Sequence, residues 1–410
     1  MNTSEKLTSY QIIVIIILAM VQATIILDFA IISPLGEILV KTLNMNSHEF
    51  SLVVSAYALS AGISSIISAG FTDRYDRKKF LIFMYMGFII GTLFCALATN
   101  YWQLLIARIV TGIFGGVMGS IVQTIVADVF ENKFRGRVMG LIQMSFAVSQ
   151  ILGIPLGLFL AYKLNWNSTF LFIVVLGLVN ILLAVFKLKP INEHVSAQEK
   201  INPFSKTLQT IKNPKYLLAL SSVALVPMGG FMLMPFNSLY AVNNLGVPRE
   251  KLPLVFLFIG LANLVVMPII GRLSDKYPRY NIFLIGTIAS IIFLNIYTHL
   301  LPMIFWLFII FNMFFFSSIF MRITPFMAMN TTIPELKDRG TYMSLSSALQ
   351  QAGGGLGAIA SGYIISQKSQ TSPLQNMGIL GYVITFIFLL CLFLVYKLNE
   401  QVKVKNSNLA

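Results

Sequence analysis

The chain has 410 residues, of which 57% are hydrophobic and 11% charged, against roughly 25% charged in an ordinary soluble domain. That composition excludes a water-soluble globular protein and makes a lipid bilayer the expected solvent. A net charge of +14 would suit nucleic acid, but the placement of the charges excludes that partner.

A hydrocarbon core of about 30 Å needs about 20 apolar residues per helix. Apolar runs span 10–33, 50–72, 80–98, 103–127, 138–162 and 169–187, then 216–241, 253–271, 281–299, 302–331, 341–366 and 376–396. Runs this long predict helices rather than the short alternating strands of a barrel, because backbone in lipid must satisfy its own hydrogen bonds. The expected fold class is all-α integral membrane, with twelve transmembrane helices in two pseudo-symmetric six-helix bundles, 1–187 and 216–410. The polar segment 188–215, broken by Pro190, Pro203 and Pro214, is the expected cytoplasmic loop between them, and a short cytoplasmic tail ends the second bundle. The first run is longer than a signal-peptide core and no small-residue cleavage site follows it at once, so it is read as a retained helix. Cys95 and Cys391 lie inside apolar runs and are read as buried thiols.

If residues 1–9 are cytoplasmic, the loops on the opposite side hold five basic residues, Lys41, Lys163, Arg249, Lys251 and Lys368, and the spans hold Arg108 and Arg322. The remaining Lys and Arg are cytoplasmic, which is the positive-inside bias and places both termini in the cytoplasm.

The stretch "AGFTDRYDRKKF" (69–80) has an echo in "GRLSDKYPRY" (271–280), which sets Asp73 against Asp275 and Arg77 against Arg279 at one common separation. Arg135-Gly136 before the fifth span likewise matches Arg339-Gly340 before the eleventh. The chain reads as a duplicated six-helix unit, with a site expected between the halves near mid-membrane. On these residues it resembles the major facilitator superfamily, whose loop signature has the form Gly-x-Leu-x-Asp-Arg/Lys-x-Gly-Arg-Lys. The second copy carries Gly271, Leu273, Asp275, Lys276 and Arg279; the first carries Asp73, Arg74, Arg77 and Lys78, with Ala69 and Asp76 in place of glycine. "ILDFAIISPLGEIL", "RIVTG", "RGRVMGL", "GIPLG" and "NWNSTF" look like the drug and sugar efflux branch. The antiporter signature of helix five has Gly directly before Pro; here Ile154 stands between Gly153 and Pro155.

The resemblance implies a secondary transporter, not an enzyme. It would be a proton-coupled antiporter exporting a small molecule by alternating access, a multi-pass protein of a bacterial inner membrane. Its partners would be substrate, protons and lipid, with a monomer as the expected state, no cofactor, and the proton gradient as energy source. The alternatives are uptake or facilitated movement of a sugar-like solute, or a non-transport receptor. The resemblance also implies a cytoplasmic latch built from Asp73, Arg74, Arg77, Lys78, Asp128, Asp275 and Arg279. Asp73 would face the start of helix eleven, Arg77 would reach Asp128, and Asp275 would approach the start of helix five.

A charge at a helix centre costs about 2.5–3.5 kcal/mol, so charges retained in spans are functional candidates. Asp28 lies about 24 Å along helix one and Arg108 about 8 Å below the opposite surface, which gives them a common depth. In the superfamily, helices one and four line the central cavity, so the two are expected to face one another or share water there. Low dielectric favours the neutral acid and a neighbouring guanidinium favours the carboxylate, so a change in their separation would load or release a proton. The structural alternatives are a kink cap for Asp28 and a backbone tether for Arg108. Arg322 either snorkels to the cytoplasm, the favoured expectation, or binds an anionic group. Gly112, Gly153 and Gly157, with Pro155, are expected to pack helices closely. Gln22, Tyr57, Gln123, Gln143, Asn237 and Gln351 are candidates to orient a substrate, with interhelical hydrogen bonding as the simpler role. "GGGLG" (353–357) follows no strand, so it is a packing element and no phosphate loop; no metal cluster is visible.

Overall fold

The computed structural model describes residues 7–68, 75–192, 209–335 and 338–407. The helices of the first half are α1 (Ser9–Ile31), α2 (Gly36–Thr42), α3 (Ser47–Ser68), α4 (Arg77–Leu97), α5 (Tyr101–Val129), α6 (Asn132–Val148), α7 (Ile154–Lys163) and α8 (Asn167–Lys187). In the second half they are α9 (Pro214–Leu233), α10 (Asn237–Asn243), α11 (Leu252–Lys276), α12 (Arg279–Thr298), α13 (Phe305–Asn330), α14 (Arg339–Ile364) and α15 (Met377–Ser407).

Short polar residues start the long helices. Thr8 and Gln11 form a reciprocal capping box on α1, Asp76 accepts from the Lys79 amide at the start of α4, and Asn100 accepts from the Gln103 amide on α5. Asp76 therefore has a local task where the superfamily signature has glycine. Eleven segments among the described residues are long and apolar enough to cross a membrane. The twelfth long helix, α14, is diluted by Gly, Ser and Gln, and it packs closely against α3 and α9. Small residues suit such a position because close backbone approach, rather than apolar side chains, holds helices together in lipid. The apolar side chains of Phe186, Val265, Phe314 and Phe386 point outward instead, as lipid contact requires.

Proline shapes two spans. The fifth is α6 and α7 joined by a π turn over Ser149–Gly153, immediately before Pro155. Proline has no amide hydrogen and crowds the preceding turn, and one wider turn accommodates both effects. The seventh is α9 and α10 joined by a 3₁₀ turn, Met234–Phe236, around Pro235. Both interruptions differ from the sequence pattern, in which each span reads as one continuous apolar run.

The halves meet along two seams. Along α3 and α14, a Cβ on Gly62 would lie 3.0 Å from the Ala348 carbonyl, and one on Gly355 would lie 2.6 Å from Leu59. Along the other seam, α11 packs on α7 and the π turn, where Gly260 lies against Ile151. Further bonds cross between halves on the face opposite the start of α1. Ser238 Oγ donates to the Ser33 carbonyl at 2.5 Å, Ser33 Oγ donates to the Met234 carbonyl, and Gln370 donates to Asn44.

Candidate functional site

Asp28 and Arg108 meet inside the first half. The Arg108 guanidinium donates through one nitrogen to Asp28 Oδ2 at 2.7 Å and to the Asp28 carbonyl at 3.3 Å. Thr92 Oγ1, on α4, donates to Asp28 Oδ1 at 3.2 Å. The Tyr57 ring lies under the guanidinium, with its centroid 4.6 Å from Cζ. Both charged side chains have zero exposure, and Arg108 Nε and its second terminal nitrogen have no hydrogen-bond partner. The pair joins α1 to α5, in keeping with the common depth expected from helix rise. Of the two expected arrangements, facing one another or sharing water, the side chains face one another directly, with Thr92 and Tyr57 beside them. Sequence reasoning missed Thr92, whose hydroxyl in an apolar run gives no signal beyond its residue type.

Local packing sets this geometry. Gly112 lies against Tyr57 and Ser60, Gly115 against the Tyr57 ring, and Gly116 against the Ala61 backbone, so α5 approaches α3 closely enough to seat Tyr57 beneath Arg108. Gly153 meets Leu27, and Gly157 meets Thr169 and Ile31, which fixes α1 beside the fifth span. Ser149, in the π turn, donates to the Ala23 carbonyl of α1 at 2.9 Å.

Around the duplicated loop signature, Arg77 Nε donates to Asp128 Oδ2 at 3.1 Å, joining the start of α4 to the end of α5. Lys78 Nζ donates to the carbonyls of Val185 and Leu188, closing the end of α8. Arg279, the counterpart of Arg77, donates to the Ala328 carbonyl at 3.0 Å near the end of α13. Asp73 and Arg74 lie outside the described residues, as does the Asp275 side chain, so the expected contacts of Asp73 and Asp275 fall there too.

The substrate candidates differ in their surroundings. Tyr57 belongs to the ion-pair cluster, and Asn237 Oδ1 accepts from the Tyr297 hydroxyl of α12. Gln22 and Gln351 are half-buried, and Gln123 and Gln143 are exposed. Arg322 does not snorkel: it is 1% exposed, with its Cζ 3.7 Å from the Phe388 ring centroid and 5.9 Å from that of Phe283. Two of its nitrogens have no hydrogen-bond partner. It is held between α12 and α15 because aromatic faces take the charge in place of headgroups, an outcome that hydropathy alone does not distinguish from snorkelling. Cys95 and Cys391 are free and buried, as expected. No group of three or more His, Cys, Asp and Glu able to hold a metal occurs among the described residues.

Paired membrane bundles with a sealed carboxylate and guanidinium in one of them define a polytopic membrane carrier. The family model of the Major Facilitator Superfamily matches residues 18–336 and 219–409, and the chain belongs to that superfamily of transporters. It is 26% identical to the uncharacterized MFS-type transporter YbcL of Bacillus subtilis over 92% of this chain and 95% of that one. It is 25% identical to a probable sugar efflux transporter of Helicobacter pylori (strain ATCC 700392 / 26695), over 62% of this chain and 63% of that one. Among solved structures, a single-residue variant of the nucleoside transporter NupG superposes with a TM-score of 0.76 at 11% identity, covering 94% of this chain and 99% of that one. The xylose transporter XylE from E. coli, in a partially occluded inward open conformation, superposes at 0.72 with 15% identity, covering 95% and 98%. The family match establishes the transporter class, and the solved structures establish the fold.

Proposed function

We propose that the protein is a proton-coupled antiporter that exports a small molecule, with Asp28 as the coupling acid and Arg108 as its partner. The observation that carries this reading is a carboxylate sealed at 0% exposure against one guanidinium at 2.7 Å. Burial opposes its charge and the guanidinium supports it, so hydration or separation of the pair changes how tightly a proton is held. Relative motion of α1 and α5 during alternating access supplies that change. Both termini lie in the cytoplasm and the membrane is a bacterial inner membrane, with the monomer as the working unit. The Arg77–Asp128 bridge belongs to the cytoplasmic latch. A sugar-like substrate is the first class to test, because relatives carry sugar efflux in their names.

In proteoliposomes under an imposed pH gradient, a radiolabelled monosaccharide should move against its own gradient as protons flow the other way. Asp28→Asn should abolish that movement while sparing exchange. Concentrative transport by the Asp28→Asn protein would remove Asp28 from the coupling role. Complete burial of the pair also favours a second reading, facilitated transport with Asp28 and Arg108 as a structural clamp. In that case exchange persists, and a pH gradient drives nothing in either protein.

A further inference from the structure

A second buried carboxylate lies outside the long helices. Glu37 sits in the first turn of α2, a seven-residue helix in the connection between the first two spans, yet it has no exposed surface. Its Oε1 accepts from Lys41 of the same helix and forms an ion pair, at 3.2 Å, with Arg249, which precedes α11. Its Oε2 has no partner. Glu37 and Lys41 belong to the first half and Arg249 to the second, so the Arg249 bond crosses between halves. Gly36 permits the placement: a Cβ there would lie 2.7 Å from the Phe50 ring and 3.4 Å from Ser238 Oγ, so α2 tucks between α3 and α10.

The surroundings are polar. A cavity of about 300 Å³ is lined by Glu37, Lys41, Thr42, Tyr162, Arg249 and Glu250, and the buried Tyr162 hydroxyl also lacks a partner. Neutral bonds close the same face nearby, from Ser238 to Ser33 and from Ser33 to Met234. The charged bond differs from these in how it breaks. If Arg249 withdraws, Glu37 keeps Lys41, so no buried carboxylate is left without a cation. Arg249, with a side chain 47% exposed, passes into water with little loss.

We propose that Glu37 and Arg249 form a breakable latch holding the two halves together on the face opposite the termini, with Lys41 keeping the carboxylate compensated when the latch opens. The latch rests on the movement of one half against the other and is independent of proton coupling.

Spin labels report it directly. Leu164, at the end of α7, and Leu301, after α12, are exposed residues of opposite halves on this face. They are changed to Cys in a protein whose Cys95 and Cys391 are replaced by Ala, and double electron–electron resonance gives the distance between labels. Arg249→Ala should raise the ratio of long to short separations by about fivefold, the size of a bond of about 1 kcal/mol. Glu37→Gln should match it, Arg249→Lys should largely preserve the short separation, and Glu37→Gln with Arg249→Ala should shift no further than either alone. An unchanged distribution in Arg249→Ala overturns the latch, as does a double variant whose shift is the sum of the two. Because Arg249 is half-exposed, its variant decides the question even where Glu37→Gln fails to fold. The measurement needs neither substrate nor a pH gradient, so its failure is distinct from a failure of antiport.

Discussion

Replacing Asp28 by Asn should destabilise the protein by about 3–5 kcal/mol, and replacing Arg108 by Met as well should recover much of that loss. At 2.7 Å and an effective dielectric constant of about 20, the two charges attract by about 6 kcal/mol. Taking each ion out of water costs several kcal/mol, so the intact pair is close to neutral as a stabiliser. Removing the carboxylate deletes the attraction but leaves the guanidinium buried, with the Tyr57 ring and the Asp28 backbone carbonyl as its remaining contacts. In the double variant that charge is gone, and the Asn side chain can still accept from Thr92. The assay is reversible unfolding in mixed detergent micelles, followed by tryptophan fluorescence and arranged as a double-mutant cycle. A double variant as unstable as the sum of the single ones would refute the reasoning, because it would mean that neither residue answers to the other. Recovered stability without recovered gradient-driven transport would separate the structural share of the pair from its share in coupling.

Two further outcomes follow from packing. Gly116→Ala puts a methyl group into the Ala61 backbone and should cost about 1–3 kcal/mol, whereas Gly119→Ala, with nothing within 4 Å, should be neutral or stabilising by up to about 1 kcal/mol; equal shifts in thermal unfolding would refute the contrast. Arg322→Met removes an uncompensated buried charge at the loss of its aromatic contacts, so it should cost less than about 2 kcal/mol and clearly less than Arg108→Met; equal losses would show that Arg322 has a partner of comparable strength.

Much of this architecture is legible in the sequence because its signals are long or repeated. Apolar runs of membrane length give the spans, and the common separation of Asp73 from Asp275 and of Arg77 from Arg279 gives the duplication. Helix rise alone gives Asp28 and Arg108 one depth, although it cannot say that Thr92 and Tyr57 join them. Local chemistry is less legible. Glu37 lies within "SPLGEIL", and the spacing of Lys41 four residues on is the signal that could draw attention to it. Its burial is invisible in sequence because it depends on how α2 packs beside α3 and α10 and on Arg249, which is distant in the chain. Arg322 departs from the snorkelling expected of it for a related reason: the rings of Phe283 and Phe388 that enclose it are distant in the chain.

The two halves are unequal in charge. Arg77 ends on the carboxylate of Asp128, whereas its counterpart Arg279 ends on the Ala328 carbonyl, and the position matching Asp128 is Asn330, which accepts from Tyr342. The buried acid and base of the first half have no charged pair to match them among the described residues of the second, where Arg322 rests on aromatic rings. The two halves meet through glycine contacts along both seams, α3 with α14 and α11 with the π turn. A cycle driven by protons needs something more, namely states that differ in the energy of a charge. In the proposed antiport that difference would lie in the first half, at Asp28 and Arg108. On the same proposal the second would contribute the surface against which the first moves and, through Arg249, the charge that pairs with Glu37.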